Sequence, residues 1–194
     1  MGKGDKELLE EAIQSDLSKG FDQIFIKYYP TLLAYGSKIN QDKEEVEEAI
    51  QELFLHLHQN KQLLKNIKNL KAYLFVSLRR RIIEDLKKKD KSLLPAHDKG
   101  SYVQFSREEF SSEAYVDEDR IEELRQLLNK LPWRQREAIY LKYFNGLSTK
   151  EIAEVMGSKP QTILNMVYIA FKKLRASGLS RCLAPFSLLT SFWP

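Results

Sequence analysis

Apolar residues recur at helical spacing along almost the whole chain, and nothing else in the sequence constrains the fold as tightly. Val46, Ala49, Ile50, Leu53, Phe54 and Leu57 follow an i, i+3, i+4, i+7 pattern. Asn40 or Asp42 stands ready to cap that helix. Before it, Phe21, Ile24, Phe25, Tyr28, Leu32 and Ile39 predict a long helix, bent near Pro30 or Gly36. After it, Leu70, Leu74, Leu78, Ile82 and Leu86 line one face of a third helix that begins near Asn66 or Asn69. The period-two alternation of half-buried strands is nearly absent. A helix with one apolar stripe must bury it against another helix, so these three are expected to share a core.

The period then lapses. Residues 91–119, "KSLLPAHDKGSYVQFSREEFSSEAYVDED", hold Pro, Gly and five Ser and read as a linker, with room for a short helical turn. Helical spacing resumes at Ile121, Leu124, Leu127, Leu128 and Leu131, stops at Pro132, and continues through Ala138, Ile139, Leu141 and Tyr143. The last pair of helices carries Ile152, Ala153, Val155 and Met156, then Ile163, Val167, Ala170, Phe171 and Leu174. The expectation is an all-α chain of two small helical domains, 1–90 and 120–177, joined by a flexible acidic linker over 91–119. An apolar tail follows at 178–194, with Phe186, Leu188, Leu189, Phe192 and Trp193 as contact candidates.

That last pair reads as a helix-turn-helix. Ser148 and Glu151 form a capping box, the small Ala153 allows a close crossing, and Gly157 sits where a Cβ is not expected to fit. Ile163 packs back as anchor. If Ile163, Val167 and Ala170 face the core, then Lys159, Gln161, Leu164, Asn165 and Tyr168 face outward, flanked by Thr162 and Arg175. Gln161 and Asn165 suit adenine edges, and Lys159 suits phosphate. Leu164 and Met166 cannot hydrogen-bond a base, so charge-driven affinity is expected to be low.

Charge is ordered along the chain. Residues 42–52 hold six acids and one Lys, residues 61–91 eleven Lys or Arg and three acids, and residues 107–123 eight acids and two Arg. Such alternation suits more than one kind of partner, within a formal net charge of +4. The basic block follows Tyr73 and Phe75, which are read as core. A single cysteine, Cys182, excludes an intramolecular disulfide framework and fits a reducing cytoplasm. Neither a signal peptide nor a membrane insertion is expected. No phosphate-binding loop is present. His56 and His58 lie two apart, on different sides of a helix, and His97 stands alone. No catalytic residue, cofactor or metal site is therefore expected.

Taken in order, "EEVEEAIQELFLHL", "AYLFVSLRRRIIEDLKK", "LNKLPWRQREAIYLKYFNGLSTKEIAEVMG" and "AFKKLR" resemble a bacterial RNA polymerase sigma factor of the extracytoplasmic-function (ECF) subgroup. The resemblance implies roles. The first domain would be sigma region 2, with Glu47, Glu48, Gln51 and Leu55 docking on the clamp helices of the largest subunit of core RNA polymerase. Arg79, Arg80, Lys87, Lys88 and Lys89 would engage and melt the −10 element of promoter DNA. Glu108, Glu109, Glu113, Asp117, Glu118 and Asp119 would thread a basic polymerase channel. The second domain, sigma region 4, would sit on the flap of the second-largest subunit. It would read the −35 element with Ser158, Lys159, Gln161, Thr162, Asn165 and Tyr168. An anti-sigma factor is a candidate partner.

Two departures stand out. Arg80 replaces the Asn common in the third helix. "TILNMVYIA" replaces a pattern such as "TVKSRLHRA", so Leu164, Met166 and Ile169 stand where polar residues are usual. Weakened −35 readout is expected, assisted by an auxiliary activator or an RNA-guided DNA-binding protein. The alternatives from the residues alone are a dimeric helix-turn-helix regulator and a protein-holding adaptor. The regulator needs neither the acidic linker nor the "EEVEEAIQELF" helix.

Overall fold

The computed structural model describes residues 4–14, 19–89, 103–110 and 118–176, and every regular element among them is helical. The chain divides into two units, Met1–Lys99 and Gly100–Pro194. The expectations for the tail at 178–194, and for Lys91, Glu113 and Asp117, fall outside the described residues.

In the first unit, α1 (Asp5–Gln14), α2 (Lys19–Ile39), α3 (Lys43–Gln59) and α4 (Leu70–Lys89) pack around one core, with a 3-10 turn at Lys61–Asn66. Leu32, Tyr35, Val46, Ile50, Leu74, Phe75 and Leu78 are fully buried. Each large apolar side chain among them stabilises the fold by about 1.5–3 kcal/mol through burial. α2 runs through both Pro30 and Gly36. Pro30 is exposed. Gly36 lies where α3 crosses, and a Cβ there would meet Val46 Cγ1 at 2.4 Å. Asp42 caps α3 by accepting from the amides of Glu44 and Glu45. Asn40, the other candidate, accepts from the Asp42 amide and donates to Glu45. Asn69 accepts from the Ala72 amide at 2.9 Å and so opens α4. Sequence periodicity missed α1, whose Leu8, Leu9 and Ala12 are buried. Asp5 holds it to α2, accepting from Lys27 Nζ at 2.6 Å and Tyr28 Oη at 2.5 Å.

In the second unit, α5 (Glu118–Asn129) precedes α6 (Trp133–Ile139), which widens into a π-helical turn at Tyr140–Phe144. Asn145 closes that turn, its amide and side chain both donating to Tyr140 O. α7 (Thr149–Val155) and α8 (Pro160–Ala176) form the helix-turn-helix. The expected capping box of Ser148 and Glu151 is present. Ile152, Ala153, Ile163 and Ala170 are buried between the helices. Gly157 has φ +59°, and a Cβ there would meet nothing within 4 Å. The requirement for glycine is thus the left-handed backbone rather than crowding, which corrects the steric expectation.

Part of the expected linker is folded. Residues 103–110 lie against the second unit, ending in a 3-10 turn at Arg107–Phe110. Val103, Phe105 and Phe110 are buried. The Asn129 carboxamide accepts from the Phe105 amide at 2.8 Å and donates to the Phe105 carbonyl at 3.0 Å.

Candidate functional site

Three surfaces carry the candidate functional side chains. On α3, Glu48, Gln51 and Leu55 fall on one exposed stripe, at i, i+3 and i+7. Leu55 is 55% exposed, while its neighbour Phe54 is buried against Phe25. Glu47, on the edge of that stripe, pairs with Lys43 at 3.4 Å. An exposed leucine among carboxylates and amides is an apolar anchor with a polar rim, the composition of an interface centre.

On α4 the structure splits the basic run. Arg80, Lys87 and Lys88 share one exposed face. Arg80 is tied to Glu84 at 2.7 Å and Lys88 to Asp85 at 2.8 Å. Hydrogen bonding from Glu84 raises the Arg80 pKa, so this guanidinium stays charged. Lys89 points the other way, to Glu45 on α3, and Arg81 pairs with Glu52, also on α3. Arg79 is half-buried. The five basic residues singled out by sequence are therefore not one patch. Exposed ion pairs of this kind add little, because solvent screens them, so a phosphate can displace them at small cost.

On α8, Lys159, Gln161, Thr162, Asn165 and Tyr168 are exposed, as the helical period requires, with Ser158 half-buried before them. Gln161 Nε2 donates to Asn165 Oδ1 at 3.1 Å, holding the two amides together. Leu164 and Ile169 are 42% and 43% exposed and Tyr168 is 51% exposed, whereas Met166 is half-buried. Sequence reasoning missed Arg134. Its Nη2 donates to Ser158 Oγ at 3.1 Å, and its guanidinium lies 5.7 Å from the centre of the Trp133 ring. The only sequence signal for it was a basic residue two positions after the helix-breaking Pro132.

The acidic residues expected to act together are divided. Glu108 and Glu109 sit on the short 3-10 turn, where Glu109 accepts from the Ser106 amide at 2.8 Å. Glu118 and Asp119 form the first turn of α5, and Glu118 pairs with Arg107 at 2.8 Å. Among the described residues, no group of three or more His, Cys, Asp or Glu is placed to hold a metal. No described helix is long and apolar enough to cross a membrane.

Two charged helical surfaces followed by a helix-turn-helix define a DNA-directed, protein-docking molecule. The models for sigma-70 region 2 and sigma-70 region 4 match residues 24–92 and 121–174. The ECF RNA polymerase sigma factor EcfG of Rhodopseudomonas palustris (strain TIE-1) is 30% identical over 76% of this chain and 78% of its own length. The RNA polymerase sigma factor SigV of Bacillus subtilis (strain 168) is 27% identical over 74% of this chain and 80% of its own. Two solved structures share the fold. CnrH in complex with the cytosolic domain of CnrY has a TM-score of 0.54 at 20% identity, covering 89% of this chain and 95% of that one. The sigma factor RpoE of Bartonella quintana, in complex with the anti-sigma factor NepR, has a TM-score of 0.55 at 22% identity, covering 82% and 96%. The chain belongs to the ECF subgroup of the sigma-70 family, and its function is promoter recognition in transcription initiation.

Proposed function

We propose that the first unit docks on core RNA polymerase through α3, with Leu55 as apolar anchor and Glu47, Glu48 and Gln51 around it. The exposed Leu55 carries this reading, because it shares one stripe of α3 with Glu48 and Gln51, an apolar centre within a polar rim. The target is the clamp helices of the largest subunit. Arg80, Lys87 and Lys88 then meet the −10 DNA directly, while Arg79 and Lys89 support them from the sides. Titration of labelled chain with core polymerase tests the docking. Leu55→Asp is expected to weaken the complex at least tenfold with an unchanged melting curve, and an unchanged affinity would overturn it.

The second unit addresses the −35 element from the flap of the second-largest subunit. Ser158, Lys159 and Arg134 hold phosphate, the coupled Gln161 and Asn165 meet base edges, and Thr162 and Tyr168 flank them. The acidic residues from Glu108 to Asp119 face the basic polymerase channel. Leu164 and Ile169 add little to DNA affinity and form an apolar contact for an auxiliary targeting protein, an activator or an RNA-guided DNA-binding protein. An anti-sigma factor is the other proposed partner, supported by the complexes that CnrH and Bartonella RpoE form. These last contacts separate on mutation. Leu164→Ser with Ile169→Ser is expected to leave basal promoter binding intact and to abolish stimulation by the helper.

A further inference from the structure

The segment 103–110 is held in a manner that suits a ligand more than a loop. Asn129 reads both backbone polar groups of Phe105, as a neighbouring strand would, and makes no use of its side-chain identity. The phenyl ring of Phe105 sits 5.4 Å from Phe144 and 6.1 Å from Tyr140. Phe110 meets Phe144 edge-on at 5.7 Å. The wide π-helical turn stacks Tyr140 and Phe144 at 5.4 Å and 14°, which makes the shelf that receives both phenylalanines. Asn129 is itself fixed from behind, because the buried Arg136 donates Nη1 to its carbonyl at 2.6 Å. The groove is therefore built by residues 124–144, and residues 103–110 occupy it in cis.

We infer that this groove is an autoinhibitory clasp, closed in the free chain and released when core polymerase takes up the acidic linker. The inference rests on the proposed channel role of that linker. With Phe105 and Phe110 seated in the groove, Glu108 and Glu109 are held on the 3-10 turn between them, so an extended path of this stretch through a channel requires its release. Chain length points the same way. With the clasp closed, 13 residues (90–102) connect α4 to the held segment, spanning at most about 45 Å. With it open, the 28 residues 90–117 connect α4 to α5 and span up to about 95 Å. The open connection reaches about twice as far, which suits entry into a channel and return. The clasp thus lowers the apparent affinity for polymerase by the fraction of chains in which it is open.

Two readouts on the full chain test this. The Phe105 amide is expected to exchange slowly in the free chain and rapidly in the complex with core polymerase. A photo-crosslinker replacing Glu113 reports whether the linker is inside the polymerase. Asn129→Ala, which removes the backbone reader and spares the aromatic shelf, is expected to tighten core binding at least about threefold. Phe105→Ser with Phe110→Ser is expected to do the same, and thermal melting checks that both variants fold. A crosslink from position 113 with Phe105 still protected would overturn the clasp and leave the channel reading standing. Absence of the crosslink in a stoichiometric complex would overturn both. Unchanged or weaker binding by folded Asn129→Ala would also overturn the clasp.

Discussion

Single residues decide the local geometry through backbone conformation and charge. Gly157→Ala is expected to cost about 1–2 kcal/mol in thermal unfolding although a Cβ there meets open space, because the strain is in φ. Gly157→Asn should cost less, since Asn tolerates that region. Asp5 offers a pH test. Burial raises its pKa, but hydrogen bonds from Lys27 and Tyr28 outweigh this and hold it below its ordinary 3.8. Its stabilising effect on α1 is therefore complete above about pH 4 and lost as pH falls through the lowered value. Amide exchange in α1 should accelerate on acidification below that point, and Asp5→Asn should be fast at both pH values. Tyr28, pushed up by burial and by Asp5, stays neutral throughout. Glu122 follows the same sign. Hydrogen bonds from Arg125 and Gln126 lower it to about 2.

Elements show how far the sequence could be read. The capping box at Ser148, the Asp42 cap, the outward set on α8 and the buried Phe75 all follow from local pattern, because one helix and its period determine them. Ser148→Ala is accordingly expected to cost about 1 kcal/mol in unfolding. α1 escaped notice because its three buried apolar residues stand among five charges, too few to make a stripe. The clasp escaped because its partner lies 24 residues away. Val103, Phe105 and Phe110 have no shared period, and only Asn129 and the shelf give them a place. The π-helical turn is equally silent, since the extra residue changes hydrogen bonding and not residue type. In the basic run, sequence gave the charges but not their facing. Arg81 and Lys89 turn to the α3 carboxylates, an outcome of packing between helices.

At the scale of the whole molecule, charge order and helix order together describe a protein that works by binding several surfaces at once. No bond need be made or broken by its side chains. Promoter opening requires only that the melted DNA be bound better than the duplex. Each phosphate contact on α4 should then contribute to the salt dependence of promoter binding. Arg80→Ala is expected to reduce the slope of log K against log salt by about 0.7–0.9. Arg81→Ala should change that slope less, because two carboxylates, Glu52 on α3 and Asp85, compete there with phosphate. As a sigma factor, this chain is expected to confer promoter specificity on core RNA polymerase. Runoff transcription with purified core polymerase on genomic fragments tests it directly. Discrete start sites that appear only when the chain is added, and disappear with Leu55→Asp, are the predicted result. A chain that forms no complex with core, or that leaves the start sites of core alone unchanged, would contradict it.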